Sequence, residues 1–400
     1  MTLSPATAAT LERAAASPML ARTRAWAAIP SGTGDLPGLK RMAIALADVA
    51  TVLPGPVELI EPEPVTAIAA DGTERSVEHG RHLLLTVRPN SPLQLLFTGH
   101  MDTVYGPDSP FKSVTDRPDG TINGPGVADM KGGLAIAFAA LAAVEGHPDV
   151  ARLGYRLLIN SDEETGSASS RALIARLAAG KRAALTYEPA LPDGTLAGAR
   201  AGSGNWSLTV NGRSAHAGRN PGEGRNALVA AADLTLRLAA LGREGLTVNP
   251  ARIDGGGPNN VVPERAILRL NARAMGKADQ AEIEAAIPAL LFAIERDHDV
   301  TTSRHGGFGR PPKPLSDGAT RLFELVRECG AALGLGIAWR ATGGVCDGNN
   351  IAAAGVPVVD TMGARGGAIH SADEYLIPDS LPERARLSAL VVLRLMESAP

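Results

Sequence analysis

The sequence is poor in cysteine, in aromatic residues and in any excess of charge of one sign. Only Cys329 and Cys346 occur in 400 residues, too few for a disulfide framework or a thiolate metal cluster. The 39 basic and 42 acidic residues leave a net charge of −3, so the composition does not indicate the basic surface that binds nucleic acid or anionic membranes. We expect neither partner, and the scarce cysteines fit a reducing compartment.

Long apolar runs are also scarce. No stretch approaches the ~18 to 20 apolar residues of a membrane span. Glu12 and Arg13 interrupt the first apolar stretch, unlike the unbroken apolar core of a signal peptide. We therefore expect a cytoplasmic protein that does not enter a membrane.

Alternating strand and helix patterns dominate the sequence. Residues 1–50 predict two helices separated at 30–32, and apolar runs at 83–87, 93–98 and 155–159 predict strands. An Ala/Leu-rich pattern at 131–144 predicts a helix. This alternation is typical of an α/β fold, a mainly parallel sheet with helices on both faces. Functional side chains in such folds gather at the carboxyl ends of the strands.

A change of pattern after residue 202 predicts an inserted α+β domain. It contains predicted strands at 206–210 and 266–272 and a helix at 226–241. The Gly/Pro-rich stretch 306–314 predicts a closing linker, and a helix near Asp317 returns to the first domain. We predict one domain formed by 1–202 and 310–400, and an inserted domain at 203–309.

Five segments place histidine or carboxylate side chains at predicted strand ends or in the loops that follow. They contain His100 with Asp102, Asp129, Glu163 with Glu164, Glu188, and His370 with Glu374 nearby. Two cations that share a site need such ligands from several segments, with one carboxylate bridging them. Any one segment alone is more typical of a solvated turn. Because strand residues two apart share a face, we expect the Asp102 carboxylate to hydrogen-bond the His100 ring.

In their order and local sequence, these segments resemble the dizinc exopeptidase and deacylase family. That family includes glutamate carboxypeptidase, acetylornithine deacetylase, succinyl-diaminopimelate desuccinylase and aminoacylase. The resemblance is carried by GHMDTV at 99–104, GPGVADMKGG at 124–133, DEETGS at 162–167, Glu188-Pro189, and His370 followed by Glu374. The GPGVADMKGG segment and Arg310-Pro311-Pro312 favour the glutamate carboxypeptidase branch.

The resemblance implies a metal centre and a general base. One metal would be held by His100, Asp129 and Glu188. A second would be held by Asp129, Glu164 and His370, so that Asp129 bridges the two. The implied cofactors are two Zn²⁺ per subunit, although Co²⁺ or Mn²⁺ also suits these ligands. The resemblance further implies that Glu163 activates a metal-bridging water, and that a cis peptide bond follows Asp129.

The resemblance also implies that the inserted domain is a lid that forms a homodimer. His216 would reach the neighbouring subunit's site and stabilise developing negative charge, and Asp102 would orient His100. The implied substrate-binding residues are Asn260, Arg273, Arg310 and Gly344, with Arg310 the preferred carboxylate clamp. Without the resemblance, turns and exposed strand positions explain the lid residues equally well. Cys346 is interpreted as a buried small side chain, without a catalytic role.

We therefore predict metal-dependent hydrolysis of an amide or peptide bond beside a free carboxylate, in a small N-acyl amino acid or short peptide. The alternative within the family is deacylation of the acetylornithine deacetylase or aminoacylase type. An alternative of another class is a non-catalytic dimeric binding protein that keeps the fold.

Overall fold

The computed structural model describes residues 3–398, so Met1, Thr2, Ala399 and Pro400 of the predicted first domain lie outside the described residues. The strands, in chain order, are β1 (Val57–Ile60), β2 (Val65–Ile68), β3 (Glu74–Val77), β4 (His82–Val87), β5 (Leu93–His100), β6 (Thr115–Asp116), β7 (Ile122–Asn123), β8 (Leu153–Asn160), β9 (Ala183–Thr186), β10 (Leu196–Arg200), β11 (Gly202–Asn211), β12 (Leu246–Gly255), β13 (Arg265–Ala274), β14 (Thr301–Arg310), β15 (Trp339–Thr342), β16 (Val358–Val359), β17 (Gly366–Gly367) and β18 (Tyr375–Leu376). The helices are α1 (Pro5–Ala15), α2 (Met19–Ala27), α3 (Leu36–Ala50), α4 (Gly133–Glu145), α5 (Arg171–Ala178), α6 (Ala227–Ala239), α7 (Lys277–His298), α8 (Asp317–Ala332), α9 (Asp347–Ala353) and α10 (Ser380–Glu397).

The central sheet has six strands in the order β1-β4-β8-β5-β9-β16. Strands β8, β5, β9 and β16 run parallel to one another, and β4 is antiparallel to both of its neighbours. Alternate strand residues enter different cores: Leu83 and Leu85 pack with helices that include α4 and α10, whereas Leu84 packs with α5 and α9. This confirms the predicted mainly parallel sheet with helices on both faces.

Helix α4 lies in the main core. Together with the preceding turn it forms a stretch, Val127–Glu145, that is long and apolar enough to span a membrane by length and composition alone. Because 94% of its apolar window is buried inside the protein, its composition matches that of a core helix. The expectation that no stretch approaches this length was therefore wrong.

The inserted sheet is antiparallel and has the order β12-β13-β11-β14. One face packs on α6 and α7 around a separate apolar core that includes Trp206, Leu234 and Ile287. The sheet runs from Gly202 to Arg310. The limits 203–309 fall inside its first and last strands, and we keep them as the proposed domain limits.

The β2–β3 hairpin belongs to the first part of the chain but contacts the inserted sheet. Arg269 of β13 donates hydrogen bonds to the carbonyls of Ile68 (2.7 Å) and Ala69 (3.1 Å). Arg265 donates to the carbonyl of Asp71 at 2.8 Å. These hydrogen bonds join the hairpin to the inserted sheet, in addition to the points where the chain itself passes between the two predicted domains.

Two local predictions from the sequence were wrong. Residues 3–50 form three helices, because Pro18 separates α1 from α2. The stretch 306–314 is not wholly a linker, since residues up to Arg310 pair with β11 in the inserted sheet. Gly306 suits that strand because it has φ of 101° and a Cβ would lie 2.1 Å from the carbonyl oxygen of Asn205.

Candidate metal centre and active site

Three adjacent parallel strands bring the acidic and imidazole side chains together. His100 is the last residue of β5, Glu163 and Glu164 follow β8, and Glu188 follows β9. Because β8, β5 and β9 are neighbours and run parallel, their carboxyl ends meet at one edge of the sheet. His370 reaches the same place from the connection between β17 and β18.

Asp129 lies between the two histidines. Its Oδ1 is 3.2 Å from His100 Nε2, and its Oδ2 is 3.2 Å from His370 Nε2. Each carboxylate oxygen therefore faces a different imidazole, which is the arrangement a bridging carboxylate needs. The peptide bond from Asp129 to Met130 is cis, as the sequence resemblance implied.

The remaining acidic side chains complete the two predicted triads. Glu164 Oε2 is 3.2 Å from His370 Nε2, and Glu188 Oε2 is 3.8 Å from His100 Nε2. Potential ligand atoms of His100, Asp129 and Glu164 lie within 4.8 Å of one another, as do those of His100, Glu163 and Glu188. The structure thus brings the five predicted ligands into one cluster.

The cluster has the chemistry of a cation site. Glu188 Oε1 is buried and has no hydrogen-bond partner among the described residues. Burial raises the pKa of Glu188 to about 7 and also raises the pKa of Glu164. Hydrogen bonds to Asp129 and Glu164 raise the pKa of His370 to about 10. These carboxylates attract positive charge, and the N/O donor set fits divalent cations of the zinc type.

The His100 ring is oriented by a different atom from the one expected. Its Nδ1 is 2.9 Å from the main-chain carbonyl of Asp102, and the Asp102 carboxylate is farther away at 3.5 Å. Since β5 ends at His100, strand alternation does not extend to Asp102. The carbonyl can only accept, so Nδ1 carries a proton, and Nε2 is the ring nitrogen that faces Asp129.

The Asp102 carboxylate instead supports the backbone of the acidic turn. It accepts hydrogen bonds from the amides of Glu163 (3.2 Å) and Glu164 (3.1 Å) and from the Thr33 hydroxyl (2.8 Å). Asp102 is buried, so these bonds lie away from bulk water. Asp102 therefore holds the turn that carries two acidic side chains of the cluster.

Glu163 is paired with Arg310. Arg310 Nη2 lies 2.6 Å from Glu163 Oε1 and donates to the main-chain carbonyl of the same residue at 2.7 Å. Both side chains are buried. Arg310 Nε is buried and has no hydrogen-bond partner among the described residues. Arg310, the predicted carboxylate clamp, thus contacts the predicted base Glu163, and its Nε donor makes no hydrogen bond among the described residues.

Glu374, for which we expected no role of its own, organises the loop that carries Asp129. Its carboxylate accepts from the amides of Gly126 (3.1 Å), Ala128 (2.9 Å) and Asp129 (3.0 Å) and from the Tyr105 hydroxyl (2.8 Å). Glu374 is fully buried, and burial raises its pKa to about 7. The sequence signal for it was only its position four residues after His370.

A cavity of about 500 Å³ opens beside this cluster. Its acidic wall is formed by Asp129, Glu163, Glu164 and Glu188, with His370 at the edge. Four arginines also line it: Arg200, Arg273, Arg310 and Arg340. The cavity therefore offers a carboxylate-rich metal side and guanidinium groups that suit an anionic substrate.

A buried charge cluster behind the cavity could not be found from the sequence. Arg200 donates to both Asp360 oxygens, at 2.8 and 3.0 Å, and Lys313 lies 3.0 Å from the same carboxylate. Arg200 also donates to the carbonyl of Gly344 at 3.1 Å. These residues come from distant segments with no shared motif. They anchor the predicted Gly344 loop to the sheet.

His216 and the predicted substrate-binding residues fall into two groups. Arg273 and Gly344 line the cavity with Arg310. His216 and Asn260 are exposed and do not line it, although the Asn260 carbonyl accepts from the Ala217 amide next to His216. The structure keeps His216 and Asn260 together and apart from the cavity of their own chain.

Comparison with known proteins gives a consistent family relationship. The profile of peptidase family M20/M25/M40 matches residues 96–394. The chain is 30% identical to carboxypeptidase G2 of Pseudomonas sp. (strain RS-16) over 336 residues, covering 79% of this chain and 77% of that protein. It is 29% identical to succinyl-diaminopimelate desuccinylase of Herminiimonas arsenicoxydans over 306 residues, covering 70% and 78%. Its fold is similar to that of a dinuclear metal-binding M20 peptidase from Bacillus subtilis, with a TM-score of 0.62, 16% identity and coverage of 94% and 97%.

Proposed function

The chain belongs to peptidase family M20/M25/M40, and on that premise we propose that it is a dizinc hydrolase of amide or peptide bonds beside a free carboxylate. The match confirms the family predicted from the motifs. The proposed substrate is a small N-acyl amino acid or short peptide, with chemistry of the glutamate carboxypeptidase type. The 30% identity to carboxypeptidase G2 supports that choice.

The observation that carries the proposal is the position of Asp129 between two imidazoles. Its two oxygens each lie 3.2 Å from a different histidine, and Glu188 and Glu164 flank those histidines. His100, Asp129 and Glu188 would hold one cation, and Asp129, Glu164 and His370 the other. A purely structural cluster has no reason to keep so many buried carboxylates together.

When bound, two such cations polarise a substrate carbonyl and lower the pKa of water. Glu163 then serves as the general base that takes a proton from the attacking water and passes it to the leaving nitrogen. The Asp102 carboxylate fixes the backbone of Glu163 by accepting a hydrogen bond from its amide at 3.2 Å. Arg310 fixes the Glu163 side chain at 2.6 Å. The base is thereby held in place before substrate arrives.

Arg310 and Arg273 would bind the substrate carboxylate. Arg310 has a buried Nε donor without a partner among the described residues. Arg273 lines the same cavity and is half-buried. A guanidinium suits a carboxylate because it offers two parallel donors. Asn260 would join them only if it enters the site from a neighbouring subunit.

We further propose a cytoplasmic homodimer in which His216 acts on the neighbouring subunit's substrate. His216 and Asn260 are exposed and lie outside the cavity of their own chain. On α6 of the inserted domain, Val229 and Leu236 are also exposed, which would suit a subunit contact.

A deacylase is the second candidate, favoured by the 29% identity to succinyl-diaminopimelate desuccinylase. A panel of N-acyl amino acids and dipeptides, assayed with Zn²⁺, Co²⁺ or Mn²⁺, separates the two activities. We expect hydrolysis of substrates with a free carboxylate next to the scissile amide, and none of their methyl esters. Binding without turnover, with the metals loaded, would instead favour the non-catalytic binding protein.

A further inference from the structure

Within residues 3–398, Arg310 makes its polar side-chain contacts through one nitrogen, Nη2. This nitrogen donates to the Glu163 carbonyl at 2.7 Å and to Ser167 Oγ at 3.1 Å, and it also contacts the Glu163 carboxylate. The same nitrogen lies 3.7 Å from Asp347 Oδ1. Arg310 is therefore placed between two carboxylates, and the proposed reaction uses that of Glu163 but not that of Asp347.

Asp347 is a buried neighbour of the Arg310 guanidinium. It is 2% exposed and does not line the cavity, so it does not contact a substrate bound there. Its Oδ2 accepts a hydrogen bond from Asn160 Nδ2 at 2.8 Å, and its Oδ1 accepts one from the Ser167 hydroxyl. Donors to both oxygens stabilise the ionised carboxylate. Asp347 thus supplies a fixed negative charge close to Arg310.

Ser167 links Asp347 to Arg310. A serine hydroxyl has one proton to donate, and here Asp347 accepts it. The Ser167 oxygen can therefore only accept from Arg310, which fixes the direction of that hydrogen bond. Ser167 is fully buried, and its φ of 55° lies in the left-handed region, which is uncommon for a residue with a Cβ atom. Its amide donates to the Asp162 carbonyl at 2.8 Å, which holds the hydroxyl in place.

These partners of Arg310 belong to the edge of the central sheet that carries the cluster of histidine and carboxylate side chains. Asn160 is the last residue of β8, Ser167 lies just after the acidic turn, and Asp347 begins α9. Arg310 is the last residue of β14 in the inserted sheet. The contacts therefore attach the end of β14 to the edge of the central sheet.

We propose that Asp347 is a positioning residue, whose charge and whose bond to the Ser167 hydroxyl hold Arg310 where its guanidinium binds the substrate carboxylate. The inference rests on the proposed function, which assigns that carboxylate to Arg310 and Arg273. Without Asp347, Arg310 keeps its contact with Glu163 but loses a second counter-charge and an acceptor of fixed direction. The guanidinium then occupies its binding position for a smaller part of the time.

Two substrates that differ only at the α-carboxylate measure this positioning. They are N-acetyl-glutamate and N-acetyl-isoglutamine, in which an amide of the same size replaces the α-carboxylate. For the metal-loaded wild type, we expect kcat/KM to favour the acid by about tenfold or more, the usual effect of hydrogen bonds to a charged group. The ratio of the two values does not depend on how much of a preparation is folded, so a loss of stability alone does not change it.

Asp347→Asn and Ser167→Ala should each lower this preference by about threefold or more, mainly by raising KM for the acid. Ser170→Ala is the matched control. The Ser170 hydroxyl is also buried and accepts from Asn160 at 2.9 Å, but it does not contact Arg310. This variant should keep the wild-type preference.

A double-mutant cycle shows whether Asp347 acts through Arg310. In the Arg310→Gln background, adding Asp347→Asn should change the preference by less than about twofold, because the group that Asp347 positions is gone. An equal reduction in both backgrounds overturns the proposal, as does a wild-type preference in folded Asp347→Asn. If Asp347→Asn does not fold, the same comparisons with Ser167→Ala decide.

If the metal-loaded wild type hydrolyses neither compound, the proposed function fails separately. Calorimetric dissociation constants for the two compounds then test Asp347 by itself. We expect the wild type to bind the acid more tightly than the amide, and Asp347→Asn to reduce that difference. An equal difference in both proteins, or no difference in the wild type, overturns the role of Asp347.

Discussion

Glu163, the proposed general base, is also the buried ion-pair partner of Arg310. Glu163→Gln should keep an oxygen acceptor for Arg310 and so preserve the turn, but it removes the proton acceptor. We expect kcat to fall by about two orders of magnitude or more while metal content stays at the wild-type level. Steady-state kinetics and metal analysis of the purified variant measure both.

The control is Glu145→Gln, because Glu145 forms a similar pair with Arg88 at 2.6 Å but does not line the cavity. It should retain activity close to wild type. Near-normal turnover of metal-loaded Glu163→Gln would remove Glu163 from the role of base.

Glu374 provides a second test at the residue scale. A glutamine there replaces one oxygen by an NH₂ group, so either the amides of Ala128 and Asp129 or the amide of Gly126 and the Tyr105 hydroxyl lose their acceptor. We expect Glu374→Gln to lower the free energy of unfolding by about 1 to 3 kcal/mol and to weaken metal affinity. Chemical denaturation and metal titration measure these effects.

Tyr105→Phe is the comparison variant, since it removes only one donor to Glu374 and leaves the three backbone bonds in place. Tyr105→Phe should lower the free energy of unfolding and the metal affinity less than Glu374→Gln does. An effect of Glu374→Gln no greater than that of Tyr105→Phe would show that the backbone bonds do not stabilise the loop.

At the scale of elements, the β2–β3 hairpin depends on arginines of the inserted sheet. Arg269 donates to Ile68 and Ala69. Arg269→Ala should therefore speed hydrogen exchange of the amides in 65–77 by about tenfold or more. Arg252→Ala is the control, because Arg252 pairs with Asp254 and not with the hairpin. Equal exchange in both variants would contradict this role for Arg269.

The motifs predicted the cluster of histidine and carboxylate side chains more fully than the sequence patterns predicted the helices and strands around it. Apolar runs located β4, β5 and β8 to within a few residues, because strands that are buried on both faces are continuously apolar. The 22-residue helix α7 was missed: it contains Pro288, although Ile283, Ile287 and Leu291 recur at helical spacing. The Arg310–Glu163 pair and the role of Glu374 depend on contacts between distant segments, which one sequence does not contain.

At the scale of the whole molecule, the exposed position of His216 predicts that each active site is completed by a residue of the neighbouring subunit. Mixing Glu163→Gln and His216→Ala proteins under subunit exchange gives mixed dimers in which one site contains both wild-type residues. If His216 acts in trans, activity should recover to about a quarter of wild type, because half of the dimers are mixed and one of their two sites is intact.

If His216 serves its own subunit, both sites of the mixed dimer stay defective. Co-purification of untagged His216→Ala protein with affinity-tagged Glu163→Gln protein from the same mixture shows independently whether subunits exchange. Absence of recovery with demonstrated exchange would count against the shared site and leave the metal centre unaffected.

The bridging role of Asp129 is the central claim, and metal content measured by mass spectrometry tests it most directly. The wild-type chain should hold two Zn²⁺ after removal of free metal, whereas Asp129→Ala should hold at most one and lose activity. Asp373→Ala is the control, since its carboxylate is close in sequence to His370 but 87% exposed, and it should keep both ions. Two tightly bound ions in folded Asp129→Ala, or fewer than two in the wild type, would contradict the account.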